Sequence, residues 1–333
     1  MLRGKLYDLA LLVISCVFGL FPAVSQAALF KVLVVMSYHE DFYWSKDIKE
    51  GIDRALRDKC DITYFYMDTK NHFEKGEEKA LEAYKLYQKM RPRGVIASDD
   101  NAQSMFVVPY LKNKVSTPII FCGVNEAPEK YGYPASNVTG VLERSHLIES
   151  LSFLKQLVPS VKSIGFMMKD NPTSRAFLKY FNSKSDSYPV EKSEFELPGT
   201  LQEAISVAKD FKTRYDALFI DNMGGLPDEN GTPLTPEVII PKLLKLYNKP
   251  TLCANMKPVK LGVLCAIIKV TQEQGILAGE MLLKAMEGTR LSQLPIIQNH
   301  KGKAVINVTT MKALGIRPAP MALQQVELIK TEE

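Results

Sequence analysis

Short apolar runs alternate with amphipathic stretches along almost the entire chain. Lys31-Val32-Leu33-Val34-Val35-Met36 is nearly continuous in apolar residues, the pattern of a strand buried on both faces of a parallel sheet. From Ser45 to Arg57 the apolar positions Ile48, Ile52, Ala55 and Leu56 recur at helical spacing. The same reasoning predicts strands over Asp61–Met67, Gly94–Ala97 and Pro118–Cys122, with helices over Lys75–Met90 and Ala102–Leu111. The pattern then begins again. Helix Ile148–Leu157 leads to strand Ser163–Met168, and helix Ser174–Asn182, strand Lys192–Leu197 and helix Leu201–Lys212 follow. Next come strand Ala217–Ile220, helix Pro236–Tyr247 and strand Pro250–Ala254. A last portion holds a strand over Gly262–Ile268, a helix over Gln274–Met286 and an apolar segment around Val305-Ile306-Asn307.

Repeated strand–helix–strand units are the signature of a doubly wound α/β domain with right-handed crossovers. Two such patterns in succession predict two parallel-sheet α/β lobes, and a length of 333 residues suits two domains that each bury a core. No Pro/Gly/Ser-rich linker separates the halves. The boundary region Tyr131–Glu143 reads as a strand crossing between them.

In open α/β sheets ligands bind outside the carboxyl ends of the strands, at the topological switch. The residues that follow each apolar run are therefore the candidate binding groups. The first run leads to Ser37-Tyr38-His39-Glu40-Asp41 and then Trp44, the single tryptophan of the chain. The third leads to Ser98-Asp99-Asp100-Asn101 and the fourth to Gly123-Val124-Asn125-Glu126. In the second half, Met168 leads to Lys169-Asp170-Asn171 and on to Ser174-Arg175, Ile220 leads to Asp221-Asn222, and Ala254 to Asn255. Two lobes whose strand ends face one another make a cleft lined from both sides. Trp44, in a polar loop ahead of its helix, is placed to stack on a ligand. Asp100, Asn171 and Ser174 also suit helix capping, in which a side-chain oxygen accepts from free amides of the first turn.

Composition narrows the classes. With 46% apolar and 24% charged residues the chain is neither disordered nor a multispan membrane protein, and a net charge of +5 without basic runs does not predict nucleic-acid binding. No GxSxG, HExxH, GxxxxGK[ST] or GxGxxG motif occurs, and His39, His72, His146 and His300 fall in no catalytic spacing, so neither an enzyme nor a cofactor is expected. Cys60, Cys122, Cys253 and Cys265 form no CxxC, so no metal site is expected either. Cys253 and Cys265 are the pair best placed for a disulfide if one forms, although Cys122 and Cys265 also read as small buried hydrophobes. Arg3 and Lys5 precede an apolar run from Leu9 to Phe21, and Ser25-Gln26-Ala27 supplies small residues for cleavage. Residues 1–27 thus read as a secretory signal peptide, giving a periplasmic protein, with lipidation at Cys16 disfavoured because the apolar core before it is too short.

Asn137-Val138-Thr139-Gly140-Val141 between the halves resembles a hinge segment of the ABC transporter substrate-binding protein family, within the periplasmic-binding-protein superfamily. Val305-Ile306-Asn307 followed by Met311-Lys312-Ala313-Leu314-Gly315-Ile316 resembles that family's terminal stretch. The first half, with Ser37-Tyr38-His39, Trp44, Ala97-Ser98-Asp99-Asp100-Asn101-Ala102 and Phe121-Cys122-Gly123-Val124-Asn125, is also similar to the extracytoplasmic sensing domains of some bacterial sensor kinases. The resemblance implies a type I bilobed receptor. It places residues 30–138 and 262–295 in one lobe and 142–258 and 296–325 in the other, with Thr139, Gly140 and Gly262 at the hinge. It also implies a monomer that closes on a small polar or aromatic solute and presents it to an ABC transporter permease. The alternative is a ligand sensor that presents its closed form to a sensor kinase. For an amino-acid ligand, strand-end carboxylates would meet the ammonium, and Arg144 or Arg175 the carboxylate.

Overall fold

The computed structural model describes residues 29–332. The signal-peptide segment and Cys16 lie outside the described residues. In chain order the strands are β1 (Phe30–Met36), β2 (Cys60–Tyr66), β3 (Gly94–Ser98), β4 (Ile119–Val124), β5 (Val138–Leu142), β6 (Ser163–Met168) and β7 (Lys192–Glu196). They continue with β8 (Ala217–Asp221), β9 (Thr251–Cys253), β10 (Cys265–Lys269), β11 (Ile297–Gln298), β12 (Gly302–Asn307) and β13 (Glu327–Ile329). They form two sheets, ordered β11-β5-β4-β3-β1-β2 and β13-β12-β10-β9-β8-β6-β7. All pairings are parallel except β10 with β12.

Both sheets are covered on two faces, which is why their central strands are apolar throughout. In β1, Leu33 and Val35 join one core while Val32, Val34 and Met36 join the opposite one. In β8, Leu218 and Ile220 face one core and Ala217 and Phe219 the other. Helix Tyr43–Leu56 lies against helix Thr271–Met286 at backbone distance. A Cβ added to Gly51 would stand 2.1 Å from the Gln272 carbonyl oxygen, and one on Gly275 2.3 Å from that of Ile48. The apolar stretch ending at Leu111 is helical as expected. Its Gln103–Leu111 part is wound in the wider π form around Pro109, which has no N–H to give.

The chain passes between the sheets three times, and not where the hinge motif suggested. Val138–Leu142 is entirely within the first sheet, between β4 and β11, so Thr139 and Gly140 are strand residues. A Cβ on Gly140 would meet the Phe121 backbone at 2.2 Å, so this glycine serves close packing. β10 belongs to the second sheet, so the segment from 262 to Lys269 lies with the second lobe, while β11, placed by sequence in the second lobe, pairs with β5 in the first. Gly262, at φ +111, makes the turn between helix Met256–Lys260 and β10 inside one lobe. The crossings follow Leu142, Lys269 and Gln298.

Cys60, Cys122, Cys253 and Cys265 are free and buried. Cys253 and Cys265 lie on adjacent strands, but Cys265 pairs with Leu252 and Cys253 with Ala266. One residue of offset sends their side chains to opposite faces and into different cores. Among the described residues no helix is long and apolar enough to cross a membrane, and no group of three or more metal-binding side chains gathers.

Candidate functional site

The strand order reverses between β1 and β3 in the first sheet and between β6 and β8 in the second. Each lobe therefore has a switch point, and the strand-end residues gather there. In the first lobe the Ser37 hydroxyl donates to the Ser98 carbonyl (2.7 Å) and accepts from the Ala102 amide (2.8 Å), tying the exits of β1 and β3 together. The Tyr38 hydroxyl donates to Asp99 Oδ2 at 2.7 Å. Asp99 is 6% exposed and has φ +75 and ψ 166, a backbone region that strains any residue with a side chain. Burial, reinforced by the Asp100 carboxylate, pushes Asp99 up to about 7, and burial with the nearby Asp99 charge pushes the Tyr38 phenol up as well.

Trp44 is buried behind Tyr38, edge-on at 5.6 Å, and its indole N–H donates to Glu143 Oε2 at 3.1 Å. It backs the Tyr38 ring and is not the open stacking face expected from its loop. Tyr43 is 68% exposed, yet burial of its phenol raises the pKa, with Lys269 opposing the rise and Glu143 and Asp221 adding to it. Asp100 accepts from the Asn125 and Glu126 amides (3.0 and 3.3 Å) and from the Tyr131 hydroxyl (2.7 Å), so it shapes the loop after β4. Asn125 is exposed, its side-chain Nδ2 donating to the Gly123 carbonyl at 3.3 Å. Arg144 donates to the carbonyls of Val124, Asn125, Glu126 and Glu143.

In the second lobe Asn171 caps helix Pro172–Ser183, its Oδ1 accepting from the Ser174 amide at 2.9 Å. Asn222 donates to the Ser174 hydroxyl (2.9 Å) and to Asn171 Oδ1 (3.3 Å), so the exits of β6 and β8 are joined like those of β1 and β3. Asp221 is buried and accepts from the Asn222 amide (2.7 Å), the Ala254 amide (2.8 Å) and Asn255 Nδ2 (3.1 Å). Burial raises its pKa, and those donors hold the rise back. Arg175 forms a two-pronged pair with Asp170 at 2.6 and 2.8 Å on the surface.

Between the lobes stands a group that strand-end reasoning passed over. Glu143, just past β5, is buried and receives Lys269 Nζ (2.5 Å), Gln274 Nε2 (2.8 Å) and the Trp44 indole. Burial alone would raise Glu143 and lower Lys269, but their mutual attraction wins, holding the carboxyl below and the ammonium above their ordinary ranges. Gln274 also accepts from the Gly123 amide at 2.9 Å. On the third crossing Asn299 Oδ1 accepts from the Arg144 amide (2.7 Å) and its Nδ2 donates to the Arg144 carbonyl (3.0 Å). All three crossings are thus laced by side chains. The sequence signal was there to find, since Glu143 and Lys269 each follow an apolar run directly.

The family model for ABC transporter substrate binding proteins matches residues 45–326. A tyrosine-binding protein of Clostridioides difficile (strain R20291) is 22% identical over 229 residues, 68% of this chain, and the chain spans 62% of that relative's length. The ligand-free, open structure of a substrate binding protein with adhesive properties from Clostridium difficile superposes with a TM-score of 0.72 at 18% identity, covering 91% of this chain and 100% of that one. The ABC domain of Streptococcus pneumoniae in complex with L-Trp superposes with a TM-score of 0.61 at 18% identity, with the same coverage. At these identities the structural likenesses establish the fold.

Proposed function

The chain belongs to the ABC transporter substrate binding protein family, and on that premise we propose that its lobes close on an amino acid with an aromatic side chain. The observation that carries this reading is the Tyr38–Asp99 pair at the first switch point. With its proton directed at Asp99, the Tyr38 oxygen keeps lone pairs for a ligand ammonium, and the carboxylate behind it supplies the compensating charge. Tyr38 and the Phe42 ring, edge-on to it at 5.5 Å, offer apolar surface beside that polar end. Two relatives point the same way: one is named for tyrosine binding and another holds L-Trp.

Closure is a rotation of the lobes about the crossings at 143–146, 269–271 and 299–301. The ligand favours the closed form only through contacts that the open form lacks, so binding shifts the population between the two. A membrane-embedded ABC transporter permease, met on its extracytoplasmic side, is the proposed receiver of the closed form, consistent with the secretory reading of residues 1–27. A thermal-shift and calorimetric screen against the free amino acids tests the binding step. At about 100 times Kd a true ligand adds roughly 2.7 kcal/mol of stability, and Asp99→Ala should weaken its binding while the protein stays folded. An unshifted melting curve for every amino acid would remove the reading.

A further inference from the structure

The amino-acid reading needs a cation for the ligand's carboxylate, and both arginines expected to supply one are committed. Arg144 is spent on four backbone carbonyls, and Arg175 is clamped to Asp170. Lys269 is held by Glu143, and Lys169 donates to the Gly225 carbonyl at 2.7 Å. Lys70 differs from all of these. Its ammonium lies 4.2 Å from the centroid of the Phe42 ring and 5.1 Å from that of Tyr38.

The position of Lys70 is fixed although its side chain is exposed. The preceding residue, Thr69, is buried. Its amide donates to the Ser37 carbonyl (2.9 Å), its hydroxyl to the same carbonyl (2.8 Å), and it accepts from Asn101 Nδ2 (2.9 Å). The loop is thereby fastened to the carboxyl ends of β1 and β3, beside the Tyr38–Asp99 pair. Lys70 and Asp99 thus present opposite charges around one aromatic ring, the arrangement that a zwitterion requires.

We propose that Lys70 receives the carboxylate of the bound amino acid and sets the preference for acids over their neutral derivatives. This rests on the amino-acid reading above. In the free protein an exposed ammonium over a ring face is weakly held. A carboxylate arriving beside Tyr38 replaces that contact with a stronger, charge-assisted hydrogen bond, and the ring is released to face the ligand.

The test is calorimetric titration of the full chain with L-tyrosine, L-tryptophan and L-tyrosinamide. Tyrosinamide keeps ring and ammonium but carries no carboxylate. The unaltered protein should bind tyrosine or tryptophan at least about tenfold more tightly than the amide. Lys70→Met should lose roughly tenfold for the acids and little for the amide, erasing the preference, while Lys70→Arg should keep most of it. A preference for the acid that survives Lys70→Met, or one that is absent from the unaltered protein, would overturn the role of Lys70 and leave the amino-acid reading standing. Binding of neither tyrosine nor tryptophan by the unaltered protein would overturn both.

Discussion

Asp99 follows β3 and Asp221 ends β8, the strands beside the switch points of their two sheets. Both carboxyl groups are buried, and burial raises both pKa values. Their surroundings differ. Asp221 is caged by two backbone amides and the Asn255 amide group, whereas Asp99 meets the Tyr38 hydroxyl and the Asn101 backbone from a strained conformation. One topology, used twice, has therefore produced a saturated polar cage in the second lobe and an aromatic wall with a poised acid in the first. The comparison teaches that a switch point marks where a site can form, and that the donors around its charges decide whether a buried carboxyl is saturated or left poised.

The joint between the halves is the place to break this comparison hardest. Lys269→Met leaves the buried Glu143 carboxylate without its counter-charge and should cost about 3–5 kcal/mol in urea unfolding. Replacing Glu143 by Leu in the same chain should recover part of that loss, since an apolar pair is tolerated better than a lone buried charge. A double variant no more stable than Lys269→Met alone would show that the pair is not the unit holding the joint.

The two carboxylates can be set against each other directly. Asp221→Asn turns an NH2 donor towards donors already in place and should cost roughly 1–3 kcal/mol at neutral pH. Asp99→Asn should behave differently with pH. The folded-state value of about 7 lies above the ordinary carboxyl range, so the contribution of Asp99 to stability is complete below about pH 4 and is lost as pH rises through 7. The stability of the unaltered protein relative to Asp99→Asn should accordingly fall between pH 4 and 7, and a flat difference in denaturation series would contradict this. The smallest effect belongs to Asn171→Ala, which removes one helix cap and should cost about 1 kcal/mol, visible as a lower melting temperature.

Much of this architecture could be read from apolar patterning. Both faces of β1 and β8 are covered, so their runs are uninterrupted and their positions unmistakable. The short strands β11 and β13 escaped because two or three residues carry no period. The crossings escaped for another reason. The Val138–Leu142 motif is indeed at the seam, but its residues are strand residues and the chain leaves the sheet just after them, a distinction that pairing alone supplies. Tyr38, Asp99, Asn171, Asp221 and Asn222 follow from the rule about strand ends. Trp44, Arg144 and Arg175 needed their partners, because a sequence shows that a polar group is present and not that it is already occupied.

Trp44 is the single indole of the chain, and its N–H rests on the glutamate that joins the lobes. Light absorbed by tryptophan alone is therefore absorbed at the joint. The proposed closure would alter the charges beside that ring, so tryptophan emission is an optical gauge for it.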